Sequence, residues 1–155
     1  MCTVESREGF SLVELMIVIA LIGIIAGIAV SSYQSYIRKT NFKSAVRELT
    51  SDLFYTKEKG ISENRIFRIS FTADSGIYAI QRETATAGTY ETVQTRDISS
   101  GDDIKVTGAA FGGKSYIEFQ PRGTCTSGSV AVANDKWTAT INLNNTGRTY
   151  VTYTP

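Results

Sequence analysis

The sequence predicts an α+β fold in which one long N-terminal helix packs on an antiparallel, β-sandwich-like head. Three observations lead to this prediction: an uninterrupted apolar run near the N-terminus, an amphipathic helical pattern directly after it, and β-type patterns from Gly60 onward. The chain has 155 residues, of which 42% are hydrophobic and 20% are charged, as in an ordinary globular protein. The average conceals a window without any charged residue, from Leu15 to Ile37.

The first element is an apolar helix over residues 10–30, which reads FSLVELMIVIALIGIIAGIAV. A helix of this length spans about 31 Å, which matches the hydrocarbon core of a bilayer. We therefore expect a single transmembrane helix. A cleaved secretory signal is the alternative, but the apolar run is longer than such signals usually have, and it continues without proline into a helical pattern.

The second half of the helix, residues 31–60, is predicted to be amphipathic. Its apolar side chains recur at steps of three and four residues, as expected for a helix with one buried face; they are Tyr33, Tyr36, Ile37, Phe42, Ala45, Val46, Leu49 and Leu53. Lys57 and Lys59 are expected in the last turn and Gly60 as the stop, since cations and glycine favour helix C-termini. The pattern predicts one helix from Phe10 to Lys59.

The remaining residues, 61–155, are predicted to form an antiparallel β head. Sequences that favour turns separate several of its strands, among them Ala73–Gly76, Asn134-Asp135 and Asn144–Gly147. The predicted strands are Ile66–Phe71, Ile77–Arg82, Tyr90–Thr95, Ile104–Val106, Tyr116–Phe119, Ser129–Ala133, Trp137–Leu143 and Arg148–Tyr153.

The composition argues against catalysis. Histidine is absent, which removes the side chain most often used as a general base or metal ligand near neutral pH. The two cysteines, Cys2 and Cys125, are too few for a four-ligand zinc site or a disulfide-rich scaffold. The serines and threonines have no base at a recognisable spacing that would activate them. We expect a non-enzymatic protein without a metal or a cofactor.

Residues Gly9-Phe10-Ser11-Leu12-Val13-Glu14-Leu15 resemble the processing and assembly signal of type IV pilins and type II secretion pseudopilins. In that family a short leader ends in glycine, and the mature chain begins with a methylatable residue, usually phenylalanine, followed by glutamate at its fifth position. The resemblance implies a leader over residues 1–9 and cleavage by prepilin peptidase between Gly9 and Phe10. It also implies N-methylation of Phe10 and a role for Glu14 in assembly.

Glu14 also has a physical reason to take part in assembly. Insertion of a comparable charge into a membrane helix costs about 2.5–3.5 kcal/mol, so the carboxylate should have a partner. In a filament, that partner would be the α-amino group of Phe10 on a neighbouring subunit. The alternative is that Glu14 lies near the membrane interface and reaches water there.

Gly23 and Gly27 form a small-xxx-small pattern, which allows apolar helices to approach closely. The pattern predicts helix packing at these positions. The alternative is that it reflects only the usual composition of a membrane helix.

Three segments of the predicted head, Phe119–Gly123, Gly128–Val132 and Ile141–Arg148, resemble the C-terminal pattern of the GspH/FimT group of minor pilins and minor pseudopilins. Ordinary β turns would explain the same glycines. The resemblance implies a minor type IV pilin that is incorporated into a pilus or primes its assembly. A minor pseudopilin of a type II secretion system is the first alternative. The segment 84–110 resembles no pattern that we can name.

The resemblance implies partners and a location as well. The partners would be other pilin or pseudopilin subunits along the N-terminal helix, prepilin peptidase, the inner-membrane assembly platform, and membrane lipid before assembly. The chain would span the bacterial inner membrane once, with its β head on the periplasmic side, and later enter a pilus or pseudopilus. The charge bias opposes this orientation, since four basic residues from Arg38 to Arg47 follow the apolar run.

DNA capture is the second alternative function. Basic and aromatic residues interleave near the C-terminus, a combination used by nonspecific nucleic-acid binders. Lys136 and Arg148 are the candidate contacts. The alternative is that these basic residues belong to an ordinary solvated sheet face. Some FimT-like minor pilins bind DNA through a Gly-Arg-x-Arg pattern, whereas the sequence Gly147-Arg148-Thr149-Tyr150 lacks the second arginine.

Cysteine placement follows from the implied processing. Cleavage after Gly9 would remove Cys2 and leave Cys125 as a single thiol in the polar loop Gly123–Gly128. A disulfide within the mature chain is then excluded. We expect an incidental free thiol, and the alternative is a bridge between subunits.

Overall fold

The computed structural model describes residues 11–99 and 102–154, without the side chains of residues 28–32. Within these ranges, one helix, α1, precedes eight strands. The elements are α1 Leu12–Glu63, β1 Phe67–Phe71, β2 Ile77–Glu83, β3 Tyr90–Asp97, β4 Lys105–Ala110, β5 Tyr116–Phe119, β6 Gly128–Ala133, β7 Thr138–Leu143 and β8 Thr149–Thr154. This order confirms the predicted α+β fold and each of the eight predicted strands.

The prediction for β4 ended too early. The strand continues from Val106 to Ala110 across a bulge between Val106 and Gly108, and its last three residues pair with Ser129 to Ala131 of β6. Glycine and alanine have low β propensity, so this part of the strand is held by its pairing with β6 rather than by a local sequence preference.

The strands form two antiparallel four-stranded sheets. Sheet A has the order β3-β2-β1-β5, and sheet B has the order β4-β6-β7-β8. The alternation of buried and less buried residues along β1 and β7 is that of strands with one face toward a core. Neighbours in sequence are mostly neighbours in a sheet, as in a hairpin-built head.

The second half of α1 and the strands belong to one compact unit, Arg38–Pro155. Buried apolar side chains of α1 join those of both sheets in a single core. The members that α1 contributes are Phe42, Ala45, Val46, Leu49 and Leu53, each of which was predicted from the helical pattern.

The predicted buried stripe of α1 was too long. Tyr33 is 64% exposed, Tyr36 is 68% exposed and Ile37 is 38% exposed. These residues belong to the other compact unit, Met1–Ile37, whose described residues contain no strand that could cover them. Burial begins at Phe42, within the unit that contains the sheets.

The predicted helix stop at Gly60 was also wrong, because α1 continues to Glu63. Asn64 has a positive φ of 50°, and the Arg65 N–H donates to the Gly60 carbonyl at 3.2 Å, which is the hydrogen bond of a Schellman helix end. A Cβ at Gly60 would lie 3.3 Å from the Arg65 carbonyl oxygen, which is a tight contact, and 3.6 Å from the Phe119 carbonyl oxygen, which is an ordinary van der Waals contact. The tight approach at Gly60 is thus to the residues that follow the helix end.

Candidate assembly site

The predicted processing bond, between Gly9 and Phe10, comes before the described part of α1 in sequence. Gly9 and Phe10 are outside the described residues, so cleavage and methylation at this bond stay predictions. The described chain begins at Ser11, whose carbonyl accepts a hydrogen bond from the Leu15 N–H at 3.2 Å. Helix α1 begins at Leu12, two residues after Phe10, the predicted first residue of the mature chain.

Glu14 lies in the first turn of α1 with an exposed side chain. A carboxylate is favoured at this end of a helix, because the first backbone N–H groups carry partial positive charge. Within the described part of the chain, Glu14 has no ion pair and no side-chain hydrogen bond. Its carboxylate is therefore free to take a partner from another molecule.

The side chains around Glu14 are apolar and uncovered on every side of the helix. Their exposed fractions range from 42% at Val18 to 76% at Leu12. The large ones are Leu12, Val13, Leu15, Met16, Ile17, Val18, Ile19, Leu21, Ile22, Ile24 and Ile25. A contiguous apolar surface of this kind marks a site of contact with a protein or a membrane.

Gly23 and Gly27 lie in this same uncovered helix. Among the described residues, nothing outside the local helix backbone comes within 4 Å of a Cβ built at either position. Packing against another helix at Gly23 and Gly27 therefore stays a prediction about contacts with other chains.

Among the described residues, no helix is both long enough and apolar enough to cross a membrane. The predicted span of residues 10–30 includes Phe10 and the side chains of residues 28–30, which lie outside the described residues.

A buried polar cluster joins α1 to sheet A inside the head. The Tyr78 hydroxyl on β2 donates to Asp52 Oδ2 of α1 at 2.7 Å, and Arg96 Nε on β3 lies 3.3 Å from the same oxygen. Asp52 is 6% exposed and Tyr78 is fully buried. Burial and the adjacent carboxylate raise the pKa of Tyr78 above its ordinary value, so the hydroxyl keeps its proton and acts as a donor.

Two loops of the GspH/FimT-like segments, which contain Gly123 and Gly147, contact the same lysine of α1, Lys57. Lys57 Nζ donates to the Thr146 carbonyl at 3.0 Å, and its aliphatic stem passes beside Gly123 and Gly147, which have φ of +78° and +69°. A Cβ on Gly147 would come within 3.0 Å of Lys57 Cδ, and one on Gly123 within 3.2 Å of Lys57 Cε. These two glycines of the GspH/FimT-like segments thus leave room for a helix side chain.

Sequence reasoning missed this role of Lys57, which it placed in a last helical turn. The last turn of α1 contains no basic residue. A single lysine in a helix gives no local signal of a contact that lies 89 residues away in sequence.

The two predicted DNA contacts are not brought together. Lys136 lies in the turn before β7, and Arg148 lies in the turn after it. A six-residue strand separates the two turns by about 17 Å. The Arg148 N–H donates to Asn144 Oδ1 at 2.9 Å, so the backbone of this residue closes the β7–β8 turn. DNA contact at both positions stays a prediction.

Cys125 is a free thiol, but the loop around it is not simply a polar surface loop. The residue is 8% exposed and belongs to the apolar core, and its Sγ donates to the Asn144 carbonyl at 3.2 Å. Burial raises the pKa of the thiol, which disfavours the reactive thiolate.

Comparison with known proteins connects these features. Two family models match the chain: type II transport protein GspH over residues 45–147, and the prokaryotic N-terminal methylation motif over residues 6–30. A fimbrial protein of Pseudomonas aeruginosa is 37% identical over 117 residues, which covers 65% of this chain and 75% of that protein. The type IV major alpha-pilin of Moraxella bovis is 38% identical over 89 residues, or 53% of each chain.

Solved structures with the same fold include two minor subunits. The type IV minor pilin FimU of Pseudomonas aeruginosa has a TM-score of 0.59 at 17% identity and covers 76% of this chain and 90% of its own. The minor pseudopilin EpsH of the Vibrio cholerae type II secretion system has a TM-score of 0.58 at 10% identity and covers 72% and 94%. At these identities the likeness is one of fold.

A long apolar N-terminal helix, a methylation motif and a two-sheet head together define a pilin-like filament subunit. The chain belongs to the GspH family, within the superfamily of type IV pilins and type II secretion pseudopilins. Members of this superfamily are structural subunits, which confirms that the chain is not an enzyme. Family membership implies processing by prepilin peptidase, assembly with other pilins, and anchoring in the inner membrane before incorporation into a filament.

Proposed function

We propose that this chain is a minor type IV pilin of the GspH/FimT type that enters a type IV pilus or primes its assembly. The observation that carries this proposal is the combination of the methylation motif over residues 6–30 with the GspH match over residues 45–147. The fimbrial relatives in sequence favour a pilus. The head shares its fold with the minor pilin FimU, which favours a minor subunit.

A minor pseudopilin of a type II secretion system is the second candidate. The description of the matching family model, type II transport protein GspH, and the fold shared with EpsH favour it. The two candidates use the same processing, the same helix and the same head. They differ in the machine that the subunit joins, so co-purification with pilus or secretion subunits from source cells distinguishes them.

The proposed path of the subunit begins in the inner membrane. The chain spans the membrane once, the leader faces the cytoplasm, and the head lies on the periplasmic side. Prepilin peptidase cleaves between Gly9 and Phe10 and Phe10 is methylated, while lipid covers the uncovered apolar side chains of α1. The assembly platform then transfers the subunit into the filament, where other apolar helices replace the lipid.

Glu14 acts in the transfer step. Its exposed carboxylate, which has no partner among the described residues, pairs with the α-amino group of Phe10 on a neighbouring subunit. A charge pair inside an apolar bundle is strong because the medium screens it poorly. Such a pair fixes the axial offset between adjacent helices, and Gly23 and Gly27 then let those helices approach closely.

Mass spectrometry of the mature N-terminus tests the proposal directly. The chain expressed with a prepilin peptidase should begin at a methylated Phe10, and it should lack Met1 to Gly9. A chain that keeps Met1 in the presence of active peptidase would contradict the proposed function. A Gly9→Ala variant serves as the control, because it should remain uncleaved while the helix and head stay unchanged.

A further inference from the structure

Strand β8 forms an unprotected edge of sheet B. It is the outer strand in the order β4-β6-β7-β8, and its sequence, Thr149-Tyr150-Val151-Thr152-Tyr153-Thr154, contains no charged residue and no proline. Edge strands usually carry charges or bulges that prevent pairing with other chains. Strand β3, the corresponding edge of sheet A, has three charged residues and a bulge opposite β2. The β8 edge therefore lacks the charges and the bulge that protect the β3 edge against pairing with another strand.

An open cleft runs between this edge and α1. One part, of about 270 Å³, is lined by Lys39, Phe42, Lys43, Trp137, Tyr153 and Thr154. The next part, of about 450 Å³, shares Tyr153 and continues past Val46, Thr50 and Phe54 of α1 beside Val151 of β8. Phe54 is 61% exposed and Tyr153 is 46% exposed, so large apolar surface is left uncovered next to free strand backbone.

The charged residues of α1 that line the cleft are all basic. Lys39, Lys43 and Arg47 line it at successive four-residue steps, and none of them has an ion-pair partner within the described ranges 11–99 and 102–154. The acids of this stretch of α1, Glu48 and Asp52, do not line the cleft, and Asp52 faces sheet A, where it accepts a hydrogen bond from Tyr78. The cleft is thus complementary to a negatively charged occupant.

We propose that the β8 edge and the cleft beside it receive an extended acidic segment from the head of another pilin-type subunit. The segment adds to sheet B as a fifth strand through the free backbone groups of β8. Alternate side chains of that segment cover Tyr153 and Phe54, and its carboxylates reach Lys43 and Arg47. The inference rests on the proposed function, since it supplies a head-to-head contact in addition to the contacts of the N-terminal helices.

Photo-crosslinking in source cells tests this contact with the full chain. A photoreactive phenylalanine analogue replaces Thr152, which is exposed on β8, and in a matched strain it replaces Thr95, which is exposed on β3. We expect an adduct from position 152 in which the captured peptide, sequenced by mass spectrometry, is an acidic strand of another pilin-type subunit. Position 95 should give little adduct with that subunit.

Charge reversal then tests the role of the cations. The double change Lys43→Glu and Arg47→Glu should lower the yield of the position-152 adduct about tenfold, because it replaces attraction by repulsion. Arg122→Glu, an exposed change outside the cleft, should leave the yield unchanged. A yield that is insensitive to the double change would overturn the assignment of an acidic partner.

The remaining outcomes are equally decisive. An adduct that nuclease removes would assign the cleft to nucleic acid, and an adduct with a second copy of this chain would assign it to self-association; either result overturns the proposal. Absence of any adduct in a chain that is cleaved at Gly9 and present in filaments would overturn the docking site alone. A chain that keeps Met1 would instead contradict the proposed function.

Discussion

The two halves of α1 are continuous in sequence but differ in where their partners come from. In the first half, from Leu12 to Ile25, apolar side chains point in every direction and are uncovered. In the second half, one face of the helix is buried by the sheets of the same chain, and the residues on that face are Phe42, Ala45, Val46, Leu49 and Leu53. A helix that is apolar all round needs surroundings that its own domain does not provide.

The difference has an energetic consequence. Full burial of one large aliphatic side chain contributes about 1.5–3 kcal/mol. In the second half of α1, burial of the apolar side chains stabilises the folded head. In the first half the corresponding energy is available only through lipid or neighbouring helices, so it contributes to anchoring and assembly rather than to the stability of the head.

The largest expected effect is on the free energy of unfolding, and it is tested by one leucine substitution in each half of α1. Leu49→Ala removes a fully buried side chain and should lower the free energy of unfolding by about 2–5 kcal/mol. Leu21→Ala changes a side chain that is 54% exposed, and should change that energy by less than about 0.5 kcal/mol. Denaturant unfolding of the full chain in detergent, followed by fluorescence of its single tryptophan, Trp137, measures both.

Trp137 is a suitable reporter because its ring packs against that of Phe42, with 6.3 Å between the ring centroids. Equal destabilisation by Leu49→Ala and Leu21→Ala would show that the first half of α1 also contributes to the stability of the head, which would contradict the proposed difference between the two halves.

The next effect concerns the polar side of the second half. Tyr78→Phe removes the hydroxyl that donates to buried Asp52 at 2.7 Å and should cost about 1–3 kcal/mol, because the carboxylate loses a hydrogen bond that water cannot readily replace. The same unfolding measurement applies. Tyr55→Phe is the matched control, since Tyr55 is 45% exposed. A loss of stability no larger than that of the control would show that the hydroxyl contributes little to joining α1 to sheet A.

In the first half, the corresponding polar residue is Glu14. We expect Glu14→Ala to reduce the share of subunit found in sheared filaments about tenfold, which corresponds to about 1.4 kcal/mol, while the amount in the membrane stays unchanged. The reason is loss of the carboxylate that pairs with a neighbouring N-terminus. Quantitative immunoblotting of filament and membrane fractions measures both amounts.

Glu58→Ala, an exposed change in the second half of α1, is the control for this experiment. Normal incorporation of Glu14→Ala would assign Glu14 to the membrane interface instead.

Periodicity predicted most of the fold because it reports which faces are buried. The strands and the buried residues Phe42 to Leu53 follow from it directly. The stripe that began at Tyr33 was wrong because periodicity gives the face of a helix but not the place where its cover starts. Gly60 was misassigned as the helix stop because no local pattern showed that Asn64 would take the positive φ that ends α1.

The candidate assembly site likewise contains some features that local sequence predicts and others that it does not. The motif around Gly9, Phe10 and Glu14 is contiguous, so it can be recognised from sequence alone. The contact between Lys57 and the Gly123 and Gly147 loops depends on the tertiary fold, and so does the cleft beside β8. These features join residues that are far apart in the chain, and only the packing of α1 against the strands brings them together.

The smallest expected effect concerns the predicted DNA contacts. Lys136 and Arg148 lie at opposite ends of β7, and the chain has a net charge of only +1. Two separated cations make independent phosphate contacts whose strength falls with salt. We therefore expect Lys136→Ala and Arg148→Ala each to change the affinity for single-stranded DNA by less than about twofold at physiological salt.

Fluorescence anisotropy of a labelled oligonucleotide with the full chain in detergent measures these affinities. Lys59→Ala serves as a control of equal charge, because Lys59 pairs with Glu63 within α1. A loss of about tenfold or more from either single variant, with no change from Lys59→Ala, would instead define a nucleic-acid site on sheet B. Such a site would mean that the head binds a ligand of its own in addition to its filament contacts, so the contrast between the two halves of α1 would no longer describe all the partners of this chain.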